Sequence, residues 1–446
     1  MLPEKYLLRM KNMLGGEYDG FVASFSAPPE RAIRVNRKKI SDGALLSVLP
    51  YACSPIPYSD GGYYIAAGED DKIGSHPLHF AGAFYVQEPS AMAPVNMAPI
   101  APDMIALDVC ASPGGKSSQI AEKLTRGVLV SNEIVKDRAV TLLGNIERQG
   151  FSNVIVTNTD SHTLAEWYDG VFDLVLCDAP CSGEGMFRKT PEATDEWSLD
   201  NVKMCAARQR EILSNAARAV KCGGYLVYST CTFSKEEDED VVSDFLSAHP
   251  DFSLCDAPEA IADATRGGIG MPEARRFYPH VSRGEGQFMA LLKRAGDGEP
   301  RINYRDGARK LTKEEEKAVM EFFNDCFDVL PSGRLVSVGK NIFVAPDFPV
   351  PPHSVFSAGV KVGEVDKGRL LPHHQLFSAL GAKMKRKIEL TSSSAEARKY
   401  IGGETFETSA PSGWCAVLID GCAVGGAKVS GGVAKNHYPK GLRRKI

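Results

Sequence analysis

Two short segments of this chain carry residue types suited to covalent chemistry: Asp178-Ala179-Pro180-Cys181 and Ser229-Thr230-Cys231. Each follows an apolar run, FDLVLC (172–177) and GGYLVY (223–228), whose length and β-branched or aromatic bias read as a buried strand. Both cysteines would then emerge at strand ends, where open α/β sheets place their ligands. A thiolate is the nucleophile, so a working cysteine needs a lowered pKa, and nothing in the sequence shows what would lower it. The competing reading of a free cysteine is a small buried hydrophobe, and it suits Cys177, Cys205, Cys222 and Cys255. Cys181 and Cys231 stand apart because each follows a strand and lies beside a small polar residue, Ser182 or Thr230.

A third segment runs from Leu107 and Asp108 through Cys110, Ala111, Ser112, Pro113, Gly114, Gly115 and Lys116, between a strand-like and a helix-like stretch. A phosphate-binding P-loop would need glycine at position 110, where this chain has cysteine. The dinucleotide fingerprint G-x-G-x-x-G is missing as well. What remains is a tight turn in which Gly114 and Gly115 let backbone approach a ligand closely; a purely structural turn is the alternative. The next strand-like runs end in acids: Glu133, Asp160 and Asp178. A carboxylate there can accept from ribose hydroxyls, although any one of them could cap a helix instead. Turn and acids together fit an adenosyl cofactor without a pyrophosphate, S-adenosylmethionine.

These residues need a scaffold, and its signals run from about 104 to 295. Strand-like runs at 104–109, 127–133, 153–158, 172–177, 223–228 and 287–292 alternate with helix-like stretches at 117–124, 137–150 and 201–220. Gly150 and Gly223 sit where helix C-caps belong. Alternation of this kind predicts an α/β, Rossmann-like fold, a doubly wound and mostly parallel sheet. Residues 1–100 read as a small α/β appendage and 101–295 as the catalytic unit. Residues 296–372 form an α+β connecting unit with an amphipathic helix at 311–326, and 373–446 a β-rich module.

Composition sets the outer bounds. At 446 residues the chain should divide into several domains, and 43% hydrophobic with 24% charged residues is ordinary for a globular protein. Its eleven cysteines, an odd number without an export signal, argue against a disulfide framework, and the lack of a C-x-x-C pair argues against structural zinc. No apolar run reaches the roughly 18–20 residues of a membrane span, and the start lacks the apolar core of a signal peptide, so a cytoplasmic protein is expected. The net charge of −4 argues against whole-surface nucleic-acid binding. Three basic clusters nevertheless point to a phosphate-bearing partner: Arg31, Arg34, Arg37, Lys38 and Lys39; Lys383, Lys385, Arg386 and Lys387; Lys435, Lys440, Arg443, Arg444 and Lys445. Acid gathers elsewhere, in EEDED (236–240) and EEE (314–316), and reads as solvated surface.

The segments CASPGGKSSQIAEKL, DAPCSGEGMFRK and YSTCTFSKEEDEDVV resemble motifs I, IV and VI of the NOL1/NOP2/Sun family of RNA cytosine-5 methyltransferases. The likeness is densest over about 84–295, with FYVQEPSAM and RAIRVN similar to the family's lead-in and N-terminal segments. The C-terminal part resembles the bacterial RsmF-type 16S rRNA enzymes and their appended PUA-like RNA-binding module. The paired TC and PC cysteines are specific, since DNA cytosine-5 methyltransferases use the PC cysteine alone as nucleophile.

The resemblance implies that Cys231 attacks C6 of cytosine and that Cys181 assists loss of the C5 proton and enzyme release. Asp178 would hold the ring near N3 and N4, with Lys189 as a further contact. S-adenosylmethionine would be surrounded by residues 110–116, Glu133, Arg138, Asp160 and Asp178. Ser112 stands where the family more often has alanine, and Glu133 replaces an aspartate of some members. The implied partner is RNA, with 16S rRNA or the small ribosomal subunit foremost, bound by a monomer with no metal. Transfer RNA as substrate, a non-catalytic ribosome-assembly factor and a nucleotide hydrolase stay open as other readings.

Overall fold

The computed structural model describes residues 2–66, 68, 72–190 and 192–445. Its centre is a sheet whose strands Val154–Thr157, Val128–Asn132, Ile105–Asp108, Phe172–Asp178 and Val220–Thr230 lie side by side in that order, all parallel. The chain winds outward from Ile105–Asp108 through two strands, then crosses back to continue on the other side of the same strand. The switch point therefore falls between the C-terminal ends of Ile105–Asp108 and Phe172–Asp178, the place where such sheets open a crevice. Leu107, Val130, Ile155, Val175 and Leu226 are fully buried, as strands covered on both faces require.

Antiparallel strands extend this doubly wound core at both edges. Gln287–Arg294, read from sequence with the parallel set, runs antiparallel to Val220–Thr230. It is reached from Met271–Phe277 by the short loop 278–286, and a parallel neighbour would need a much longer crossover. On the far edge Val355–Ala358 pairs antiparallel with Val154–Thr157, so the stretch 296–372 contributes a strand to the catalytic sheet. Gly150 caps its helix in the left-handed conformation as expected. Gly223 does not: the helix Leu199–Ala219 passes straight into the strand, and Gly223, at φ 80°, occupies an irregularity in the ladder between Val220 and Tyr225.

The N-terminal part opens with the helices Glu4–Leu14 and Tyr18–Ser24 and contains a four-stranded antiparallel sheet. Beyond the core lie the helix Lys313–Cys326, a four-stranded sheet and a five-stranded C-terminal sheet. Among the described residues no helix is long and apolar enough to cross a membrane.

Candidate active site

Strand register brings the two cysteine segments together. In the parallel ladder Ser229 lies opposite Asp178, so the two chains leave the sheet at one level. The Ala179 amide donates to the Ser229 carbonyl at 2.9 Å, which carries the pairing one residue further. Cys181 Sγ then stands 3.2 Å from Cys231 Sγ, both thiols free and partly exposed. The hydrogen bond to Cys231, followed by burial, pushes the Cys181 thiol well up and keeps it protonated.

Asp178 ends its strand with both oxygens engaged, Oδ2 by Lys116 Nζ at 2.8 Å and Oδ1 by Ser229 Oγ at 2.6 Å. Burial works against the Lys116 ammonium, but the charge and hydrogen bond of Asp178 outweigh it and raise its pKa. Around this pair opens a cavity of about 250 Å³, lined by Cys110, Ala111, Ser112, Pro113, Gly115, Lys116, Asp178 and Lys189, with Asp108, Gln87 and Glu88. Gly114 turns the chain at φ 105° into the helix Gly115–Lys123, whose N-terminal amides suit a carboxylate. At Gly115 a side chain would meet Tyr85 at 3.2 Å and Gln87 at 3.3 Å, so the glycine keeps the cradle open.

Asp108, which the sequence reading passed over, is the acid at the end of the first strand. Burial lifts its carboxyl to about 7; Ser117 donates to Oδ2 at 2.6 Å, and Oδ1 has no partner among the described residues. A buried acceptor without a donor, beside a helix N-terminus, matches the ammonium and carboxylate of an amino-acid cofactor moiety. The donor set therefore fits S-adenosylmethionine.

Comparison with known proteins covers the chain almost end to end. Models for the 16S rRNA methyltransferase RsmB/F, for the N-terminal domain of RsmF and for the RsmF PUA domain match residues 95–293, 2–89 and 386–444. The ribosomal RNA small subunit methyltransferase F of Vibrio vulnificus is 30% identical over 461 residues, covering 99% of this chain and 98% of its own. The Klebsiella pneumoniae protein of that name is 34% identical, covering 99% and 96%. The chain belongs to the RsmB/F family of 16S rRNA methyltransferases. That bears out the resemblance read from the motifs. Among solved structures, a methyltransferase homologue from Pyrococcus horikoshii superimposes with a TM-score of 0.56 at 27% identity, over 66% of this chain and 100% of the other.

Within this RsmB/F-family site the remaining sequence-derived residues divide. Arg138 donates to the Ser112 carbonyl at 3.1 Å and Ser112 Oγ returns a bond to the Arg138 carbonyl at 3.0 Å, which fixes the turn. Glu133, nearly fully buried, accepts from the Val135 amide at 2.9 Å and lies 3.5 Å from Arg138. Asp160 is the cap of the helix Ser161–Trp167, its oxygens holding Thr163 N at 2.8 Å and Thr163 Oγ1 at 3.0 Å. That hydrogen bonding pulls its pKa down and occupies the carboxylate.

The larger surprise for this RsmB/F-family chain is the acid run 236–240, read as solvated. Glu237, Asp238 and Glu239 are 0%, 0% and 2% exposed. Asp238 accepts from Thr230 at 2.6 Å, Glu239 binds the buried Arg276, and Glu237 reaches the cysteine loops. The signal available in sequence was position: the run follows Cys231 closely, where strand-end loops need acceptors.

The N-terminal basic cluster needs correction too. Arg34 is 1% exposed and bonds Glu122, Gln87, Ser118 and the Gly115 carbonyl, so it braces the turn into the helix Gly115–Lys123. Lys39 donates to the carbonyls of Ala81, Arg148 and Ala423 at 2.6–3.1 Å, joining three parts of the chain. In the C-terminal cluster Lys435, Lys440, Arg444 and Lys445 are exposed.

Proposed function

We propose that this chain is an S-adenosylmethionine-dependent RNA cytosine-5 methyltransferase of small-subunit ribosomal RNA, with Cys231 as nucleophile and Cys181 as the group that releases product. The observation that carries the assignment is the 3.2 Å approach of the two sulfurs at adjacent strand ends. Full-length kinship with enzymes named for the small subunit supports the substrate class, and a cytoplasmic protein that meets the small subunit fits that reading. The exposed C-terminal cations and the N-terminal sheet would supply backbone contacts to the RNA.

When bound, S-adenosylmethionine supplies an electrophilic methyl group on its sulfonium. Cys231 Sγ adds to C6 of a cytosine brought out of its stack, opening the C5–C6 double bond and placing an electron pair at C5. That pair would be set to accept the cofactor's methyl group, whose bond to the sulfonium sulfur would break and leave its electrons on sulfur. Asp178, held by Lys116 and Ser229, would bind the ring at its N3–N4 edge and favour the charge that develops there. Loss of the C5 proton then re-forms the double bond and expels Cys231.

In this reading Cys181 takes that proton. Its hydrogen bond to Cys231 and the charge there are among the causes that hold its thiol up. Once Cys231 has become a thioether those causes vanish, so Cys181 ionises more readily at the stage when a base is needed.

A covalent trap tests this. Cys181→Ser should accumulate an RNase-sensitive, slow-migrating band on a denaturing gel, and Cys181→Ser with Cys231→Ala should not. Sequencing the trapped RNA names the substrate. Folded Cys181→Ser that binds S-adenosylmethionine yet yields no such band would overturn the two-cysteine assignment.

A further inference from the structure

Glu237 has no role in the chemistry described above, yet its buried carboxylate touches both cysteine loops. Oε2 accepts from the Ser182 amide at 2.9 Å, and Oε1 from the Ser182 hydroxyl. Oε1 also accepts from Thr232 Oγ1 at 3.4 Å, and the two hydroxyls of Ser182 and Thr232 bond each other at 2.9 Å. Ser182 follows Cys181 and Thr232 follows Cys231, so a single acid holds the residue after each thiol. The other side of Cys181 is tied to the same group, because Gln209 Nε2 donates to Glu237 Oε2 and to the Pro180 carbonyl, each at 2.9 Å. Glu237 is itself anchored through its carbonyl, which accepts from Tyr228 Oη at 2.6 Å. Glu237, Ser182, Thr232, Gln209 and Tyr228 are all buried, so no water substitutes for a bond lost among them without rearrangement.

We propose that Glu237 is a positioning residue for product release, setting the separation between Cys181 and Cys231 and hence the access of Cys181 to the C5 proton. The proposal rests on the roles assigned to the two cysteines above. Addition at C6 needs only Cys231 and a bound base. Release needs Cys181 at one definite place beside the adduct, so a slackened loop costs that step first. An amide in place of the carboxylate sets an N–H against the donor of Ser182 or Gln209, which pushes the Cys181 loop away while the cavity around Asp108 and Lys116 stays as it was.

The test uses full-length enzyme, an rRNA transcript and S-adenosylmethionine at pH 8, where Glu237 is ionised because burial lifts its carboxyl only to about 7, with wild type, Cys181→Ser and Cys231→Ala on the same denaturing gel. Glu237→Gln should lower kcat by at least about tenfold, the loss that follows one charged hydrogen bond, while its KM for S-adenosylmethionine stays within about twofold. It should also accumulate the RNase-sensitive adduct, and Cys231→Ala in the same background should abolish that band. Ser182→Ala removes the hydroxyl and spares the carboxylate. It should shift kcat and adduct the same way by less, and it serves if Glu237→Gln does not fold. Loss of kcat without adduct, or unchanged kcat in folded variants, overturns the inference provided Cys181→Ser traps RNA. If Cys181→Ser traps nothing, the cysteine assignment itself has failed.

Discussion

Two acidic runs that look alike in sequence, 236–240 and 314–316, have opposite fates in the fold. Glu237, Asp238 and Glu239 are buried and meet partners brought in by distant parts of the chain: Ser182, Gln209 and Arg276. Only the flanking Glu236 and Asp240 reach the surface, paired with Arg9 and Lys235. Glu314, Glu315 and Glu316 open the helix Lys313–Cys326 and keep local company, with Thr312 and Glu315 forming a capping box and Arg309 bonding Glu315 at 2.7 Å. The contrast teaches that a run of charge reports nothing of its exposure. Strand ends that place two cysteines need acceptors for their loops, and the acids that happen to follow are drawn inward. A helix start needs only its own first turn satisfied.

The sharpest way to break the contrast is at Arg276, which is 1% exposed, bonds Glu239 Oε1 at 2.6 Å and the Phe233 carbonyl at 3.0 Å, and forms an ion pair with Asp238 at 3.0 Å. Arg276→Met leaves two carboxylates buried without their cation. Removing one partner of such a cluster costs about 3–5 kcal/mol. Urea unfolding should show a drop of that size with the slope unchanged. A loss under about 1 kcal/mol would mean that water reaches the run and that it is as solvated as its composition suggests.

The runs should also answer pH with opposite signs. Burial lifts the Glu237 carboxyl to about 7, so between its ordinary range and pH 7 the folded protein keeps a proton that the unfolded chain has shed. Its contribution to stability is therefore whole at low pH and falls as pH rises towards 7. At Glu315 the bond to Arg309 pulls the carboxyl down to about 2, and that contribution is present at neutral pH and lost as pH falls towards 2. Wild type compared with Glu237→Gln at pH 5 and 7, and with Glu315→Gln at pH 3 and 6, should reveal the crossing trends. Each can change the folding equilibrium by at most about tenfold per pH unit. Parallel trends would refute the burial difference.

The same difference marks what could be read before folding. The strands before Cys181 and Cys231, the turn at 110–116 and the alternation around them are local patterns, and the structure keeps them. That Ser229 sits level with Asp178 is a property of strand register, which no single segment carries. Asp160 illustrates a true ambiguity: an acid between a strand and a helix can serve a ribose or cap the helix, and here it caps. Lys39 and Arg34 were misread for the reason the acids were. Their partners, Ala423 and Glu122 among them, lie far away in sequence, so two members of a cluster suited to phosphate became internal bracing, while Arg37 and Lys38 stay exposed. Asp108 was legible in principle, being the strand-end acid nearest the turn.

At the small end of the scale, Glu315→Gln should cost about 1 kcal/mol at neutral pH, from the paired Arg309 near the surface, since glutamine can still close the capping box. Glu316→Gln sets the floor. Its side chain is exposed at the first turn of the same helix, where a carboxylate gains only from the helix dipole. The expected change is within about 0.5 kcal/mol, and added salt should shrink it further. The value of so weak a variant is its position in the series. If Glu316→Gln were as damaging as Glu315→Gln, the helix start would depend on total negative charge and not on one capped, paired acid. The distinction drawn between acids held by particular donors and acids facing solvent would then fail where it is simplest to test.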